Sequence, residues 1–350
     1  GWIEGGTTTA SSVSVTADRQ QESDVAAGAA SVSGEVGVGF GLAVSRLGGK
    51  TYATIGRDPD DDNATASTTV KAGSVTVDAA RAVTVDSYTF GVGIGVGAAG
   101  VAGMVNVSDE TGETRAGLYD ATLRNTDGSS AAASLAVNAE EIYSATHMAG
   151  AEGSGFTGIG AAFNVVLSAS STVAELVGSD VKATTTGVNA EADRQANVYS
   201  VAGGTGAFAG AVSLGFIKFG EGDSGGVDSQ FSSSASAADS TTNAGYASKN
   251  SQLTAAEQSQ LDANAGGLDL QSQVQNTAAD ASATVTGDGQ TLKLSGASLL
   301  AARVSGGKLD TNALTVSTDG RTHTYTLAGA VQGSLAGLSG GLGITREYLV

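Results

Sequence analysis

The chain has 350 residues, a formal net charge of −18 at pH 7, 52 glycines, 5% aromatic residues and no cysteine. The lack of cysteine excludes a disulfide framework and cysteine-based metal or nucleophile chemistry. The acidic balance argues against nucleic acid as a partner, because phosphate binding needs clustered Lys and Arg. The abundant small side chains favour thin layers of β-strand over a globule with a large core.

A strand motif near the start of the chain recurs along its length. Similar short frames, such as SVSVTA and SVTVDA, are centred on Val15, Val77, Val137, Val188 and Val316. A small-residue stop follows each motif, at Gly28, Gly91, Gly150, Gly203 and Gly329. An alternating strand comes next, at 36–44, 101–107, 159–167, 208–216 and 338–344. In the first three copies a Thr-x-Ala-x-Ile/Leu element closes the unit, at 51–55, 114–118 and 172–176.

The uncharged run from Phe90 to Val107 admits three interpretations: a transmembrane helix, a buried helix, or strands. Its six glycines disfavour both helices, since each costs about 1 kcal/mol relative to alanine. Up to Gly97 apolar residues alternate with glycine, which is the period of a strand. The alternation breaks at 98–100 and resumes with the opposite parity. This break predicts a corner between two strands.

Repeats of this size are typical of arrays and solenoids. With strands of about five to six residues, a coil takes roughly twenty residues, so one repeat is expected to form about three coils. Valine, phenylalanine and isoleucine are expected to point inward, and glycine, alanine, serine and threonine outward. The predicted fold is all-β, a parallel β-solenoid built from imperfect repeats of about 60 residues.

Three regions follow from the pattern. Solenoid repeats cover 1–220, a low-complexity polar insert covers 221–282, and the solenoid resumes over 283–350. The insert has one helical signal at 251–265, with Ser251 as its N-cap. The first residues lack the basic and apolar regions of a signal peptide, and the last residues stop inside a patterned segment. We therefore expect an internal piece of a longer protein.

The repeats resemble those of filamentous haemagglutinin-like and leukotoxin-type bacterial adhesins. The likeness lies in the Val-x-Val-x-Ala opening, the Gly-alternating strand and the Thr-x-Ala-x-Ile element, over about 10–220 and 285–350. It implies a right-handed β-helix that is secreted or attached to the bacterial surface. It also implies an outer-membrane export partner for the full-length protein. The expected role is a stiff adhesive stalk that contacts host or neighbouring cells and their glycans.

Few residues suggest chemistry, and we expect no catalytic residue and no cofactor. His147 and His323 lie at similar places in their repeats, which favours strand positions over a ligand or base. The acidic cluster DPDDDN offers oxygen ligands for calcium at Asp58, Asp60 and Asp62. The sixth and twelfth positions of this stretch are not the Gly and Glu of an EF-hand loop. A solvated loop is therefore the simpler interpretation.

Two further features recur. ADRQ occurs at 17–20 and 192–195, and we interpret it as a turn with a surface ion pair. Tyrosines precede the glycine stop in four repeats, at Tyr88, Tyr143, Tyr199 and Tyr325. They favour packing between coils, with stacking on sugars as the alternative.

Two other functions stay open at this stage. One is a β-helical enzyme that acts on polysaccharide, which requires several Asp, Glu and Arg on one solenoid face. The other is a membrane-active toxin segment, in which the Gly-alternating strands insert into a bilayer.

Overall fold

The computed structural model describes residues 1–60, 67–220, 284–287, 292–295 and 299–347, and the side chains of all of these except 284–295 and 336–347. Within these ranges the chain is all-β and contains no helix, which confirms the predicted class. The strands are β1 (Trp2–Ile3), β2 (Gly6–Ser33), β3 (Val36–Gly56), β4 (Thr68–Tyr119), β5 (Ala121–Arg124), β6 (Ala132–Ser168), β7 (Ser171–Val177), β8 (Asp180–Phe219), β9 (Thr284–Gly287), β10 (Leu292–Ser295), β11 (Leu299–Ser305) and β12 (Lys308–Glu347).

The strands stack as five layers joined by parallel hydrogen-bonded ladders. Layer 1 is 6–56, layer 2 is 68–119, layer 3 is 121–177, layer 4 is 180–219 with 299–305, and layer 5 is 308–347. The antiparallel pair formed by β9 and β10 is separate from this stack.

The repeat motifs are in register across the layers. The valines aligned from the sequence are direct partners: Val15 pairs with Val77, Val77 with Val137, Val137 with Val188, and Val188 with Val316. In the same way Thr51 pairs with Thr114, and Thr114 with Thr172. Each repeat therefore supplies one layer, and the expected division of a repeat into three coils is wrong. A coil of twenty residues would place hydrogen-bonded partners far closer in sequence.

Each layer is a long flattened loop. In layer 2 an outgoing segment, 74–95, is followed by a turn and a returning segment, 99–119, which faces it. Hydrogen bonds cross between the two segments in several layers, as from Ser87 Oγ to Asn106 Oδ1 (2.5 Å). The register shift between Gly95 and Ala99 marks the turn and confirms the predicted corner. At about 3.3 Å per residue the outgoing segment spans roughly 70 Å.

The glycines of the uncharged run, Phe90 to Val107, allow the two segments to approach closely. A Cβ added to Gly93 would lie 2.0 Å from the carbonyl oxygen of Val101, and one added to Gly95 would lie 1.9 Å from that of Ala99. These distances leave no space for a side chain. The predicted glycine stop is wrong, because the outgoing strand continues past Gly91 to the turn.

The core is divided along the layer. At the end of the layer far from the turn, valine, isoleucine and leucine from successive layers form the largest apolar cluster. It includes Val77, Val137 and Leu118. Nearer the turn the interior contains two smaller apolar clusters, one with Val85 and one with Met104, and Asn106 and Ser87 are fully buried between them.

The apolar residues of the returning segment point outward there. They form a separate cluster of Val105, Val107, Phe163, Val165, Leu214 and Phe216. Strand alternation places these side chains opposite to Asn106, which bonds to the outgoing segment. The expected rule of apolar inside and small polar outside is therefore reversed on this part of the returning sheet.

The insert interrupts layer 4 without disturbing its register. Ser168 pairs with Phe219, whereas Ser171 pairs with Leu299. The two residues between Ser168 and Ser171 in layer 3 therefore correspond to the whole stretch 220–298 in layer 4. The predicted helix at 251–265 and the low-complexity stretch 221–282 lie outside the described residues.

Candidate functional site

A buried charge cluster lies between the outgoing and returning segments of layers 2 to 4. Arg81 Nη1 donates to Glu110 Oε1 at 2.5 Å and to Glu141 Oε1 at 3.3 Å. Arg194 Nη2 donates to Glu141 Oε2 at 3.2 Å and to Ser170 Oγ at 3.2 Å. The four ionisable side chains are at most 1% exposed. The two arginines and two glutamates are buried together, so the cluster links layers 2 to 4 and offers no open binding site.

The environment of Glu110 favours its neutral form. Burial and the nearby Glu141 carboxylate raise the pKa of Glu110 to about 7, against the opposing effect of Arg81. Ser168 Oγ also donates to Glu110 Oε2 at 2.8 Å. The cluster therefore contains a carboxyl group that titrates near neutral pH.

The two ADRQ motifs are not surface turns. Both lie inside outgoing strands, and the Arg194 side chain points into the interior. Arg19 pairs in register with Arg81, whereas Arg194 pairs with Tyr143, so the motifs also occupy different positions. The prediction of a surface ion pair is therefore wrong for Arg194.

The two histidines occupy different environments, although both lie on outgoing strands. His147 is fully buried and neither of its ring nitrogens has a hydrogen-bond partner. Burial lowers the pKa of His147 to about 3, so the ring is neutral. His323 is exposed. It pairs with Gln195, three positions before the column of His147.

The candidate calcium ligands are only partly within the described residues. Asp60 Oδ2 accepts a hydrogen bond from Lys50 Nζ at 2.5 Å, and Asp58 Oδ1 accepts one from the backbone N–H of Asp60 at 2.9 Å. The lysine supplies the positive charge at Asp60. Asp62 lies outside the described residues. Over the ranges that the structure describes, no group of three or more His, Cys, Asp or Glu side chains is placed to hold a metal ion.

Three of the four repeat tyrosines face outward on the outgoing sheet. Tyr88 and Tyr199 share one column with Met148 between them, and the rings of Tyr199 and Tyr325 are 5.5 Å apart at a tilt of 43°. Tyr143 instead points inward and packs edge-on against Phe219 at 5.9 Å. Tyr88, Tyr199 and Tyr325 therefore form a tyrosine ladder on the surface, and Tyr143 is not part of it.

Exposed apolar side chains extend this ladder into a surface strip, which we call the aromatic strip. It consists of Tyr88, Phe90, Tyr199, Val201, Tyr325 and Leu327. A Cβ on Gly150 would lie 2.9 Å from Phe90 Cδ1, so this ring lies over the glycine of the next layer. Flat aromatic rings with polar edges suit partners that present apolar faces and hydroxyls.

A second charge cluster lies on the outward face of the returning sheet. Glu175 accepts hydrogen bonds from Arg115 Nη1 (2.7 Å), Tyr119 Oη (2.6 Å) and Arg303 Nε (2.6 Å). These residues belong to layers 2, 3 and 4. Burial raises the pKa of Tyr119, so its hydroxyl remains protonated and donates. Sequence patterns did not single out this cluster, because its members are far apart in the chain.

An open groove of about 670 Å³ lies at the layer 1 end of the stack. Its lining includes Trp2, Arg19 and Tyr52, and Trp2 is 76% exposed. The groove opens where no further layer covers layer 1. Its walls combine these aromatic rings with charged side chains, among them Glu4, Asp18 and Lys50.

Comparisons with known proteins identify no relative. No family model matches the chain, and neither a curated protein nor a solved structure matches it. In the described residues, no helix is long and apolar enough to cross a membrane.

Proposed function

We propose that this chain is a structural and adhesive stalk segment of a large bacterial adhesin, either secreted or attached to the cell surface. The observation that carries the proposal is the in-register stacking of five long layers by continuous parallel ladders. A protein of this kind lengthens by about 4.8 Å for each added layer and keeps the same cross-section. That property suits a spacer.

We infer that the layers wind as a right-handed parallel β-helix in which a repeat of about 60 residues makes one turn. Right-handed connections between parallel strands are strongly preferred in proteins. The paired motifs of successive layers support this repeat unit. Pulling the chain from its ends tests it, since each layer of about 60 residues should release roughly 200 Å of extended chain. Rupture steps near 70 Å would instead indicate units of about twenty residues.

Side-chain ladders on the outward face support a stiff stalk. Asn138 Nδ2 donates to Asp78 Oδ1 at 2.7 Å, Asn189 Nδ2 donates to Asn138 Oδ1 at 2.9 Å, and Ser317 Oγ bonds to Asn189 Oδ1 at 2.7 Å. These bonds join layers 2 to 5 outside the backbone ladder. They resist sliding of one layer over the next.

The aromatic strip is the proposed contact surface for glycans of host or neighbouring cells. Its repetition in successive layers suits weak multivalent binding, in which several low-affinity contacts act together. The full-length protein is proposed to reach the cell surface through an outer-membrane export partner.

The adhesive role is tested with beads coated with the purified chain and a panel of immobilised cell-surface glycans. We expect retention of the beads, and a loss of at least about tenfold for the double variant Tyr88→Ala/Tyr325→Ala, since multivalent binding multiplies small losses. Ile142→Ala is the matched control, because Ile142 is exposed on the same sheet outside the strip. Equal retention of all three proteins, or no retention on any surface, contradicts the proposal.

The two other functions have weaker support. A polysaccharide-cleaving enzyme needs acid and base groups exposed together in a cleft. In the described part of the chain, the clusters around Glu110 and Glu175 are buried, which leaves the carboxylates that line the open groove, such as Asp18, as the exposed candidates. The toxin alternative rested on the Gly-alternating strands, but Gly93 and Gly95 face a closely packed interior. Leakage of dye-loaded liposomes tests that alternative directly, and we expect none.

A further inference from the structure

Large apolar side chains project from the turns of layers 2 to 5. We call them the turn ridge: Val96 in layer 2, Phe156 in layer 3, Phe208 in layer 4 and Leu335 in layer 5, which directly precedes Ala336, the register partner of Phe208. Their exposed fractions are 76%, 44%, 51% and 95%. The first three have a layer on either side, so the end of the stack does not explain their exposure.

The turn ridge is continuous from one layer to the next. The rings of Phe156 and Phe208 are 5.7 Å apart. Val96 and Phe156 each follow one of the paired residues Gly95 and Gly155, so they occupy equivalent places in their turns. Because successive layers are about 4.8 Å apart, the ridge is roughly 15 Å long and one side chain wide. Contiguous exposed apolar surface of this kind typically marks a site of interaction with a protein or a membrane.

Charged residues are absent from the sequence around these four turns. The stretches 87–108, 153–174, 195–217 and 324–345 contain no Asp, Glu, Lys or Arg, although the chain as a whole has a net charge of −18. Each stretch contains the ridge residue of its layer. The turn of layer 1 differs, because it carries the exposed Glu35. This exclusion of charge is expected for a surface that enters a medium of low dielectric constant, where an unpaired charge is costly.

The shape of the turn ridge favours a lipid bilayer over a second protein surface. A stable protein interface buries about 800 Å² on each partner, over some 20–30 residues a side. A projecting strip of four side chains, one side chain wide, is too narrow to supply such an interface. The surface of a bilayer is fluid and adapts to a narrow edge, and its acyl chains remove the inserted apolar side chains from water.

The charge of the chain and the position of Glu152 define the kind of bilayer and the depth of insertion. A net charge of −18 is repelled by anionic lipid, so the zwitterionic phosphatidylcholine surface is the better partner. Glu152 is exposed and lies four residues before Phe156 on the same strand, which is a distance of about 13 Å. Its carboxylate stays at the headgroups, so the turns enter less than half of a hydrocarbon core about 30 Å thick.

We propose that the turn ridge inserts into a phosphatidylcholine-rich bilayer and attaches the edge of the stack to one leaflet. The attachment is peripheral, so it differs from the pore-forming insertion of a toxin and leaves the bilayer closed. It uses a surface separate from the aromatic strip and does not depend on the glycan-binding role.

Flotation of the full chain with phosphatidylcholine vesicles tests the attachment. We expect the wild type to float with the vesicles, and Phe208→Asp to bind at least about tenfold more weakly, because a carboxylate on the ridge resists insertion. Ile142→Asp is the matched control, since it adds the same charge at a site of similar exposure, 47% against 51%, outside the ridge. Absence of binding by the wild type, or an equal loss for both variants, would overturn the proposal.

Light scattering without vesicles distinguishes a bilayer from a second copy of the chain as the partner. We expect the wild type, Phe208→Asp and Ile142→Asp to have the same mass, because the ridge is too narrow to hold two copies together. A wild-type dimer that Phe208→Asp dissociates and Ile142→Asp does not would assign the turn ridge to a contact between copies. That result would overturn the proposal.

Fluorescence quenching locates the ridge in the bilayer without a charged substitution. The chain has one tryptophan, Trp2, and Trp2→Phe provides a background in which Phe208→Trp reports on the ridge alone. We expect vesicle lipids with brominated acyl chains to quench this fluorescence, and to leave that of Ile142→Trp in the same background unchanged. Quenching of both reporters to the same extent, or of neither, contradicts the proposal.

Discussion

Gly93 of the outgoing segment lies directly against the backbone of Val101 in the returning segment of the same layer. A Cβ on Gly93 would be 2.0 Å from the carbonyl oxygen of Val101 and 2.8 Å from that of Gly37 in the next layer. Neither oxygen can move freely, because each belongs to the backbone of a paired strand. Gly153 in layer 3 and Gly204 in layer 4 make the same kind of contact near the turn.

Gly93→Ala should therefore destabilise the protein, by about 1–3 kcal/mol or more, because the methyl group forces the two segments apart. Chemical denaturation followed by circular dichroism measures the change. Gly203→Ala is the control, since a Cβ there meets its nearest atom at 3.5 Å. A loss for Gly203→Ala as large as that for Gly93→Ala would show that the close approach is not the cause.

Arg194 should contribute far more to stability than an exposed arginine. Arg194→Met removes one of the positive partners of the buried Glu141 carboxylate. Breaking a buried pair in this way costs about 3–5 kcal/mol. Arg321→Met is the control, because Arg321 is exposed and pairs with Asp319 at the surface, where a pair is worth roughly 0–1 kcal/mol. Similar free energies of unfolding for the two variants would contradict the role assigned to the buried cluster.

Glu110 should make stability depend on pH between about 4.5 and 7. Its pKa in the folded protein, about 7, lies above the value of 4.5 for an unperturbed glutamate, so folding takes up a proton in this range. The resulting contribution is fully present below pH 4.5 and is lost as pH rises towards 7. Chemical denaturation over this pH range should show a free energy of unfolding that falls with rising pH in the wild type but not in Glu110→Gln. Parallel curves would mean that Glu110 does not titrate there.

His147 should have the opposite effect. Its pKa is about 3 in the folded protein against 6.5 for an unperturbed histidine, so acid favours the unfolded state. His147→Val, which copies its partner Val198 in layer 4, removes this penalty. The difference in free energy of unfolding between the variant and the wild type should be about 2 kcal/mol larger, in favour of the variant, at pH 5 than at pH 8. An equal gain at both pH values would show that only packing had changed.

Some features of the fold were predictable because they are local. The repeated valines and threonines aligned the layers, since identical side chains stack in register in parallel strands. The change of parity after Gly97 located the turn, because one unpaired step in a period-two pattern exchanges the two faces of a strand. The alternating glycines indicated a strand rather than a helix.

Other features depended on contacts that the repeat pattern does not contain. The position of Arg194 inside the stack follows from its partners Glu141 and Ser170, which lie in a different segment. The glutamate site around Glu175 joins residues from three layers. The outward direction of the apolar cluster around Val105 was not predictable, because Val105 and Asn106 alternate in the same way whichever of the two points inward.

The sequence by itself determined the β-strand character, the alignment of the repeats and the location of the corner, because each of these follows from side-chain period and local backbone preference. Only the tertiary structure decided that one repeat forms one layer, which face of the returning sheet is inside, and where the insert interrupts layer 4. These depend on which distant segments pair and how closely two backbones approach. An alternating pattern defines two faces of a strand, but only the packing partner decides which face is buried.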